Sequence, residues 1–431
     1  MGAFCNNASP SYILPLDEVV KMQRSTFEAL DRSDPLASLR DRFLLPPGVI
    51  YLDGNSLGAL PRATAARVSH VIEKEWGEDL ITSWNRHDWI GMPQRVGDKI
   101  ARLIGADAGE VVVTESTSIN LFKALAVALK MRPARCAIVS DAENFPTDLY
   151  IAEGLAKLLG QDYMLRLVPT DHLPHALGAD TAVLMLTQVN FRTGAIHDMA
   201  ALTAAAHAAG ALAIWDLSHS AGVLPVNLNE ARADFAIGCG YKYLNGGPGA
   251  PAFVYAAARH QGQAPQPLYG WLGHAAPFEF AAGYRPAEGI RQYVVSTPSI
   301  LALAAVEEGV DLLLQADLER LRAKSQALTE AFITLVEARC PGLGLSLTTP
   351  RDPACRGSQV SFAHEQSYAV MQALIARGVI GDFRAPDMLR FGFSPLYIRH
   401  VDVWDAAETL RDVLVTGAWQ RAEFQHRAAV T

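Results

Sequence analysis

The chain has 431 residues and a formal net charge of −8 at pH 7, from 45 acidic and 37 basic residues. That length accommodates two or three structural units, and the lack of a long basic run argues against nucleic acid or a membrane surface as a partner. Scattered cysteines without metal-site spacing, together with an N-terminus that lacks a secretory signal, predict a cytoplasmic protein with no bound metal.

The first fifty residues look helical and charged, and we expect them to pack with the C-terminal part of the chain. From about Ser69 to Tyr255, helical and strand patterns then alternate. The predicted helices are Val96–Leu103 and Leu121–Lys130, and the predicted strands are Val111–Val113, Cys136–Ser140, Ala182–Leu186, Leu212–Trp215, Phe235–Gly238 and Ala252–Tyr255. This alternation predicts an α/β fold with a mostly parallel sheet flanked by helices.

The C-terminal part has a different pattern. The segment Ser299–Leu314 and its continuation to Glu337 predict one long amphipathic helix, and short strands are expected at Gln359–Phe362 and Leu389–Phe393. We therefore expect three parts: an N-terminal helical segment at 1–50, a large domain at 51–298 and a small α+β domain at 299–431.

Functional groups in open α/β sheets collect on loops after the strands. The strand Val111–Val113 is followed by Thr114-Glu-Ser-Thr-Ser118 and a helix, which directs hydroxyls and backbone N–H groups at whatever lies over the helix start. This pattern suits an anion such as phosphate. An ordinary Ser/Thr N-cap is the alternative, and the motif taken alone favours it.

Two further loops carry an acid and an aromatic ring. Asp216-Leu-Ser-His219 follows the strand Leu212–Trp215 and places a carboxylate where it could hold a protonated ring nitrogen. Phe145, in the loop after Cys136–Ser140, could stack on a flat heterocycle. Each signal is weak alone, because a loop acid is often a cap and a loop aromatic often only packs.

A lysine lies among aromatic residues after the strand Phe235–Gly238, in the sequence Cys239-Gly-Tyr-Lys-Tyr-Leu-Asn-Gly-Gly-Pro-Gly249. The neighbouring rings would partly desolvate Lys242 and favour a nucleophilic amine, while the glycines allow a bulky group to approach closely. The alternative is a surface lysine in a turn, which is the usual position of this residue type.

The joint order of anion site, aromatic ring, acid and lysine is much more specific than any one of these motifs. The chain resembles the kynureninases, pyridoxal-phosphate enzymes of fold type I, from about Tyr51 to Tyr397. The resemblance is carried by Tyr51-Leu-Asp-Gly-Asn-Ser-Leu-Gly58, Phe145-Pro-Thr-Asp148, Asp216-Leu-Ser-His219, Gly240-Tyr-Lys-Tyr-Leu-Asn-Gly-Gly-Pro-Gly249, Gly270-Trp-Leu-Gly-His274 and Arg390-Phe-Gly-Phe-Ser-Pro-Leu-Tyr397.

The resemblance implies pyridoxal 5'-phosphate as cofactor, with Lys242 bonded to it, Asp216 on the ring nitrogen and Phe145 against the ring. Thr117, Ser118 and Tyr241 would hold the phosphate, and Arg390, with Ser56, would bind the substrate carboxylate. The other implied cofactor positions are Pro146, Thr147, Asp148, Thr187 and His219, with Trp271 and Thr297 reaching the phosphate across a homodimer interface. Thr297 replaces an Asn of animal kynureninases, which hints at a preference for kynurenine over its 3-hydroxy form.

The implied reaction is hydrolysis of L-kynurenine to anthranilate and L-alanine, in the kynurenine pathway of tryptophan catabolism that also serves NAD biosynthesis. Lys242, Tyr241 and Asp216 would be its catalytic residues, with Lys242 removing the α-proton and Tyr241 moving a proton. One alternative is a cysteine desulfurase with Cys355 as nucleophile, although we expect Cys355 to be structural because a buried strand follows it. Another is a binding protein without activity, which would not need Lys242, Asp216 and Arg390 together.

Overall fold

A computed structural model describes residues 23–160 and 162–428. The expected helical character of residues 1–22 lies outside these ranges. The described residues divide into two units: unit 1 comprises residues 63–160, 162–190 and 197–315, and unit 2 comprises residues 23–62, 191–196 and 316–428. The predicted domain limits at residues 50 and 298 stay predictions, and the helix just after residue 298 is assigned to unit 1.

The secondary structure elements are numbered here in chain order. The α-helices are α1 (Arg24–Ser33), α2 (Arg62–His70), α3 (Ser83–Arg86), α4 (Met92–Leu103), α5 (Thr117–Met131), α6 (Pro146–Leu159), α7 (Met199–Ala208), α8 (Ile300–Leu313), α9 (Leu318–Arg339), α10 (Ser367–Ile375) and α11 (His400–Val415). The strands are β1 (Phe43–Leu44), β2 (Ile50–Tyr51), β3 (Leu60–Pro61), β4 (Val111–Val113), β5 (Ala137–Asp141), β6 (Met164–Val168), β7 (Thr181–Thr187), β8 (Leu212–Asp216), β9 (Phe235–Gly238), β10 (Phe253–Ala256), β11 (Ser346–Leu347), β12 (Gln359–Ala363), β13 (Val379–Ile380), β14 (Asp382–Arg384) and β15 (Met388–Gly392).

Unit 1 is built on a seven-stranded sheet in the order β4-β10-β9-β8-β7-β5-β6. The pairs from β9 to β6 are parallel, and only β10 runs antiparallel to its neighbours within this sheet. All residues of β5, β7, β8, β9 and β10 are buried, as expected for strands covered on both faces. The mostly parallel sheet predicted from the apolar runs is confirmed, and β6 is an additional edge strand.

Helices α4 and α5 in unit 1 match the predicted helices. Helix α4 starts with Pro93 in its first turn, where a missing N–H costs nothing, and buries one apolar face. Helix α5 is capped by Ser116, whose hydroxyl accepts the N–H of Ile119. No helix in residues 23–160 or 162–428 is long and apolar enough to cross a bilayer.

Unit 2 contains the four-stranded antiparallel sheet β11-β12-β15-β14 and the helices α1, α9, α10 and α11. The single long helix predicted from Ser299 to Glu337 is wrong, because α8 ends at Leu313 and α9 begins at Leu318. Asp317 explains the break: its carboxylate accepts the N–H groups of Glu319 and Arg320 as an N-cap. Helix α1 contacts α11, where Asp31 accepts the N–H of His400.

Lys123 is a fully buried amine in the middle of α5, and its Nζ donates to the carbonyl of Tyr293 at 2.6 Å. Burial lowers the pKa of Lys123 from 10.5 to about 7. Between these two values the unfolded chain binds one proton more than the folded chain, so this group adds stability as the pH rises from about 7 to about 10.

We therefore expect Lys123→Met, which retains a long apolar stem but cannot titrate, to lack this gain. The difference in Tm between Lys123→Met and the wild type should favour the variant most at pH 7 and shrink towards pH 10. Thermal unfolding across that range measures it. An identical difference at both pH values would contradict a neutral, buried Lys123.

Candidate active site

Lys242 lies in unit 1 in the loop that follows β9. Its half-buried Nζ is 2.9 Å from Nε2 of His219. The same Nζ is 5.8 Å from the ring centre of Phe145 and 5.9 Å from that of Tyr241, within cation–π range. The structure thus brings together four of the predicted residues and holds an amine between an imidazole and two rings.

The glycines of this loop have a steric role. The N–H of Gly246 donates to the carbonyl of Gly240 at 2.9 Å and closes the turn around Lys242. A Cβ at Gly240 would lie 2.4 Å from the carbonyl oxygen of Pro251, and one at Gly246 would lie 2.7 Å from the Gly240 oxygen. Both contacts are with backbone, so only glycine allows the turn to form as it does.

Two carboxyl groups are buried in the same unit: Asp148, in the first turn of α6, is 2 % exposed, and Asp216, at the end of β8, is 6 % exposed. Burial and the adjacent charge of Asp216 raise the pKa of Asp148 well above its usual range. Asp216 accepts the N–H of Ser218 at 2.7 Å. The proton therefore belongs on Asp148 and the negative charge on Asp216.

Thr187 ends β7, and its backbone N–H donates to Oδ1 of Asn144 at 3.0 Å. Asn144 is in turn held by Ser140, whose Oγ accepts from its amide nitrogen. The Thr187 hydroxyl is buried and has no hydrogen-bond partner among the described residues. A buried hydroxyl without a partner is costly, and a bound polar ligand would satisfy it.

Thr117 and Ser118 form the first turn of α5, directly after β4 and a left-handed residue, Glu115. The first N–H groups of a helix have no intrahelical acceptor and carry the positive end of the helix dipole. Pro146 and Thr147 occupy the equivalent positions at the start of α6. The start of α5 therefore offers N–H groups and two hydroxyls that suit an anion, whereas the start of α6 offers fewer donors because Pro146 has no N–H.

Tyr241 precedes Lys242 and is half-buried. Burial, together with the nearby Cys239 and Asp216, raises the pKa of the Tyr241 phenol far above its usual value. The hydroxyl therefore keeps its proton at neutral pH and can act as a hydrogen-bond or proton donor.

Trp271 and Thr297 stand apart from this group. Trp271 lies in a short turn, is 40 % exposed and packs edge-on against Phe278 at 5.7 Å. Thr297 is also exposed. Neither hydrogen-bonds to Lys242 in the part of the chain that the structure describes.

The remaining predicted residues, Arg390 and Ser56, lie in unit 2. Arg390 is 2 % exposed, and its guanidinium donates to both carboxylate oxygens of Asp382, with Nε to Oδ1 at 2.8 Å. Its Nη2 also donates to Oγ of Ser56 at 2.8 Å, and its Nη1 donates to the carbonyl of Phe191 at 2.6 Å. One N–H of Nη1 is left without a partner among the described residues, and the side chain is rigidly oriented.

Arg384 and Asp53 complete this cluster. Arg384 contacts Asp382 at 2.7 Å and donates to Ser56 at 3.1 Å. Burial and the negative charge of Asp382 raise the pKa of Asp53 to about 8. Asp53 is therefore mostly neutral at pH 7, so that two guanidinium groups face one charged carboxylate and the cluster carries a net positive charge.

Asp382, Arg384 and Asn144 were missed by the sequence analysis. A signal for Asp382 does exist, because it is the cross-strand partner of Arg390 in the β14–β15 hairpin. Recognising this pair requires the register of the two strands, and the predicted strand Leu389–Phe393 came without a predicted partner strand. Asn144 lay inside a predicted loop, but nothing in the sequence links it to Thr187.

Cys355, the cysteine considered as a desulfurase nucleophile, ends the short turn Pro353–Cys355 ahead of β12. It is disulfide-bonded in the structure and offers no free thiol.

Comparison with known proteins gives one consistent family. The family model described as the kynureninase C-terminal domain matches residues 321–410. A protein named kynureninase from Burkholderia pseudomallei (strain 1106a) is 58% identical over 409 residues, which cover 94% of this chain and 98% of that protein. A kynureninase from Pseudomonas fluorescens is 56% identical over 408 residues, with the same coverage of both chains.

Solved structures support the fold. A cysteine desulfurase from Thermococcus onnurineus NA1 matches with a TM-score of 0.74 at 20% identity, covering 88% of this chain and 98% of that one. A mutant of the protein C-DES with glycine covalently linked to its pyridoxal-phosphate cofactor matches with a TM-score of 0.74 at 16% identity, covering 86% of this chain and 99% of that one. At such identity these matches show the fold alone, and they confirm fold type I.

Proposed function

Because this chain belongs to the kynureninase family of pyridoxal-phosphate-dependent hydrolases, we propose that it cleaves the Cβ–Cγ bond of L-kynurenine to give anthranilate and L-alanine. The observation that carries this proposal is the arrangement around Lys242. An amine lies beside a histidine and two rings, in a unit that also buries one ionised and one protonated carboxyl group. Such a set of groups suits carbonyl and carbanion chemistry. Burying these polar groups without a functional partner would lower the stability of the fold.

The residues of unit 1 fit pyridoxal phosphate. When bound, this cofactor supplies an electron sink for a carbanion at the substrate α-carbon. We assign Lys242 to the covalent bond with it, Asp216 to the charged ring nitrogen and Phe145 to the ring face. The unpartnered hydroxyl of Thr187 supports a further polar contact. The remaining assignments are Thr117, Ser118 and Tyr241 on the phosphate and Pro146, Thr147, Asp148 and His219 around the ring.

Proton transfer is assigned to Lys242 and Tyr241. The Lys242 amine, when not bonded to the cofactor, would be the base that removes the substrate α-proton, and His219 at 2.9 Å would orient its Nζ. Tyr241 acts as a donor rather than a base, because its raised pKa keeps the phenol protonated. We propose that its proton serves the carbon–carbon cleavage.

The cluster in unit 2 is assigned to the substrate carboxylate. Its two guanidiniums, one ionised Asp382 and mostly neutral Asp53 leave a net positive charge in a largely buried setting, which favours an anionic ligand. The bonds to Asp382 fix Arg390, which leaves one N–H of Nη1 for the carboxylate. The Ser56 hydroxyl donates to Asp382 at 2.6 Å and accepts from Arg390, so in this arrangement it orients the guanidinium rather than donating to a carboxylate.

We also propose a cytoplasmic homodimer. Exposed apolar side chains cluster in one segment of unit 1, where Tyr269 is 54%, Phe278 65% and Phe280 79% exposed. Monomeric proteins rarely expose such a concentration of rings. A second copy of the chain would cover them, and Trp271 and Thr297 would then reach the partner's phosphate, making the interface part of the active site.

The direct test is turnover of L-kynurenine by the purified protein loaded with pyridoxal phosphate. We expect kynurenine to disappear with equal amounts of anthranilate and alanine formed, and Lys242→Ala to lose nearly all turnover while remaining folded. Absorbance and fluorescence follow the aromatic product, and an amino-acid assay follows alanine. If no anthranilate formed under conditions in which the protein holds its cofactor, the proposed function would be wrong.

A second prediction concerns Arg390→Lys. Lysine keeps the charge but cannot hold Asp382 and Ser56 while reaching a carboxylate, so kcat/KM should fall by about tenfold to a thousandfold. Cofactor binding should be unchanged. Steady-state kinetics on kynurenine, with the visible spectrum of the bound cofactor, give both readings.

Arg356→Lys is the matched control for that variant. Arg356 is also fully buried in unit 2, but it binds Glu330 and Thr329. The Arg356→Lys variant should have a lower Tm than the wild type and the same kcat/KM. Wild-type kcat/KM in Arg390→Lys, or an equal loss in both variants, would show that Arg390 has no special role in substrate binding.

A further inference from the structure

His197 is a buried histidine of unit 1 that the proposed function leaves without a role. Its side chain is 8% exposed and both of its ring nitrogens are engaged. Nδ1 lies 2.8 Å from the carbonyl oxygen of Thr187, and Nε2 lies 3.2 Å from Oδ2 of Asp141.

The hydrogen-bond partners of this ring are a backbone carbonyl and a carboxylate. A backbone carbonyl only accepts. Asp141 is an acceptor as well, because it also receives the N–H of Glu143 at 2.9 Å and the hydroxyl of Thr170 at 2.5 Å. Burial acts to raise the pKa of Asp141, but the hydrogen bonds from His197 and Thr170 hold it below its usual range. His197 therefore links the Asp141 carboxylate to the Thr187 carbonyl.

The two partners of His197 end neighbouring parallel strands. Asp141 is the last residue of β5 and Thr187 is the last residue of β7. The loop after β5 leads to Phe145 and Asp148, which are the assigned ring contacts. His197 therefore connects two strand ends whose following residues include assigned cofactor contacts.

Thr187 is held from both sides as a result. His197 binds its carbonyl, and Asn144 binds its N–H at 3.0 Å. Its hydroxyl is the group that stays buried and unpartnered in the described structure. Two side chains from different segments thus fix the backbone of Thr187, and the hydroxyl of this residue can bind a ligand.

We propose that His197 is a positioning residue for the cofactor: through Asp141 and Thr187 it sets the Thr187 hydroxyl and the Phe145 loop in the geometry that binds pyridoxal phosphate. This inference rests on the assigned cofactor but not on the identity of the substrate. His197 acts through its neighbours, so its loss should weaken and reorient the cofactor without removing any assigned contact.

The test is cofactor binding by apoprotein. His197→Gln keeps a side-chain donor but cannot make both ring contacts, so affinity for pyridoxal phosphate should fall by about tenfold to a hundredfold. Quenching of tryptophan fluorescence measures the Kd. Visible circular dichroism of the bound cofactor reports its orientation, and its signal should change in shape or intensity.

His260→Gln is the matched control. His260 is similarly buried in unit 1, and its Nε2 binds buried Asp234 at 2.6 Å, yet it lies near none of the assigned contacts in sequence. The His260→Gln variant should have a lower Tm, a Kd for pyridoxal phosphate within about twofold of the wild type and an unchanged dichroic signal. A loss of affinity in His197→Gln no greater than that in His260→Gln, or an unchanged dichroic signal, would overturn the proposal.

Thr187→Val keeps the inference testable if His197→Gln does not fold. Valine removes the hydroxyl at nearly constant volume, so affinity should fall by about tenfold. Where both variants fold, the double variant should lose less than the product of the two single losses, because both act on one contact. Wild-type affinity in Thr187→Val would overturn the inference, whereas failure of kynurenine turnover with intact cofactor binding would overturn only the proposed substrate.

Discussion

Two adjacent buried carboxyl groups cannot both carry a charge, and this constraint organises the candidate site. Burial keeps the proton on Asp148, so the negative charge belongs to Asp216. A buried negative charge needs a positive partner, and the assigned ring nitrogen of the cofactor supplies one. Lys242 lies in the same unit, beside His219 and flanked by the rings of Phe145 and Tyr241.

Charge balance among buried groups also matters in the unit 2 cluster, which can be compared with the contacts of His197 at the ends of β5 and β7. In unit 2, Arg390 and Arg384 share Asp382 while Asp53 stays mostly neutral, which leaves a positive charge for an anion. In unit 1, His197 contacts one carboxylate, Asp141, and one backbone carbonyl, so both of its ring nitrogens are engaged. The unit 2 cluster therefore suits binding of an anion, and the contacts of His197 suit support of the strand ends.

The sequence predicted those features that depend on local pattern. Strands buried on both faces appear as continuous apolar runs, and most of the sheet was found in this way. The edge strand β6 was missed because its residues are only partly buried and include Arg166, which weakens the apolar pattern. The continuous helix to Glu337 was wrong because apolar periodicity persists across the Asp317 cap.

The predicted site depended on family motifs, and these name the residues that would touch ligands. They do not name the partners that orient those residues, such as Asp382, Asn144 and His197. Asp382 reaches Arg390 within the β14–β15 hairpin, whereas Asn144 and His197 lie outside the strands. Asn144 binds Thr187 at the end of β7, and His197 binds both Thr187 and Asp141 at the end of β5. Three-dimensional structure was needed to find them.

The central claim is that Lys242 holds the cofactor, and one measurement tests it most directly. Borohydride reduction of the cofactor-loaded protein, followed by peptide mapping with mass spectrometry, locates the lysine that carries the pyridoxyl group. We expect a single modified peptide, containing Lys242, in the wild type and no modified peptide in Lys242→Ala. A pyridoxyl group on another lysine in the wild type, such as buried Lys123, would contradict the site as assigned.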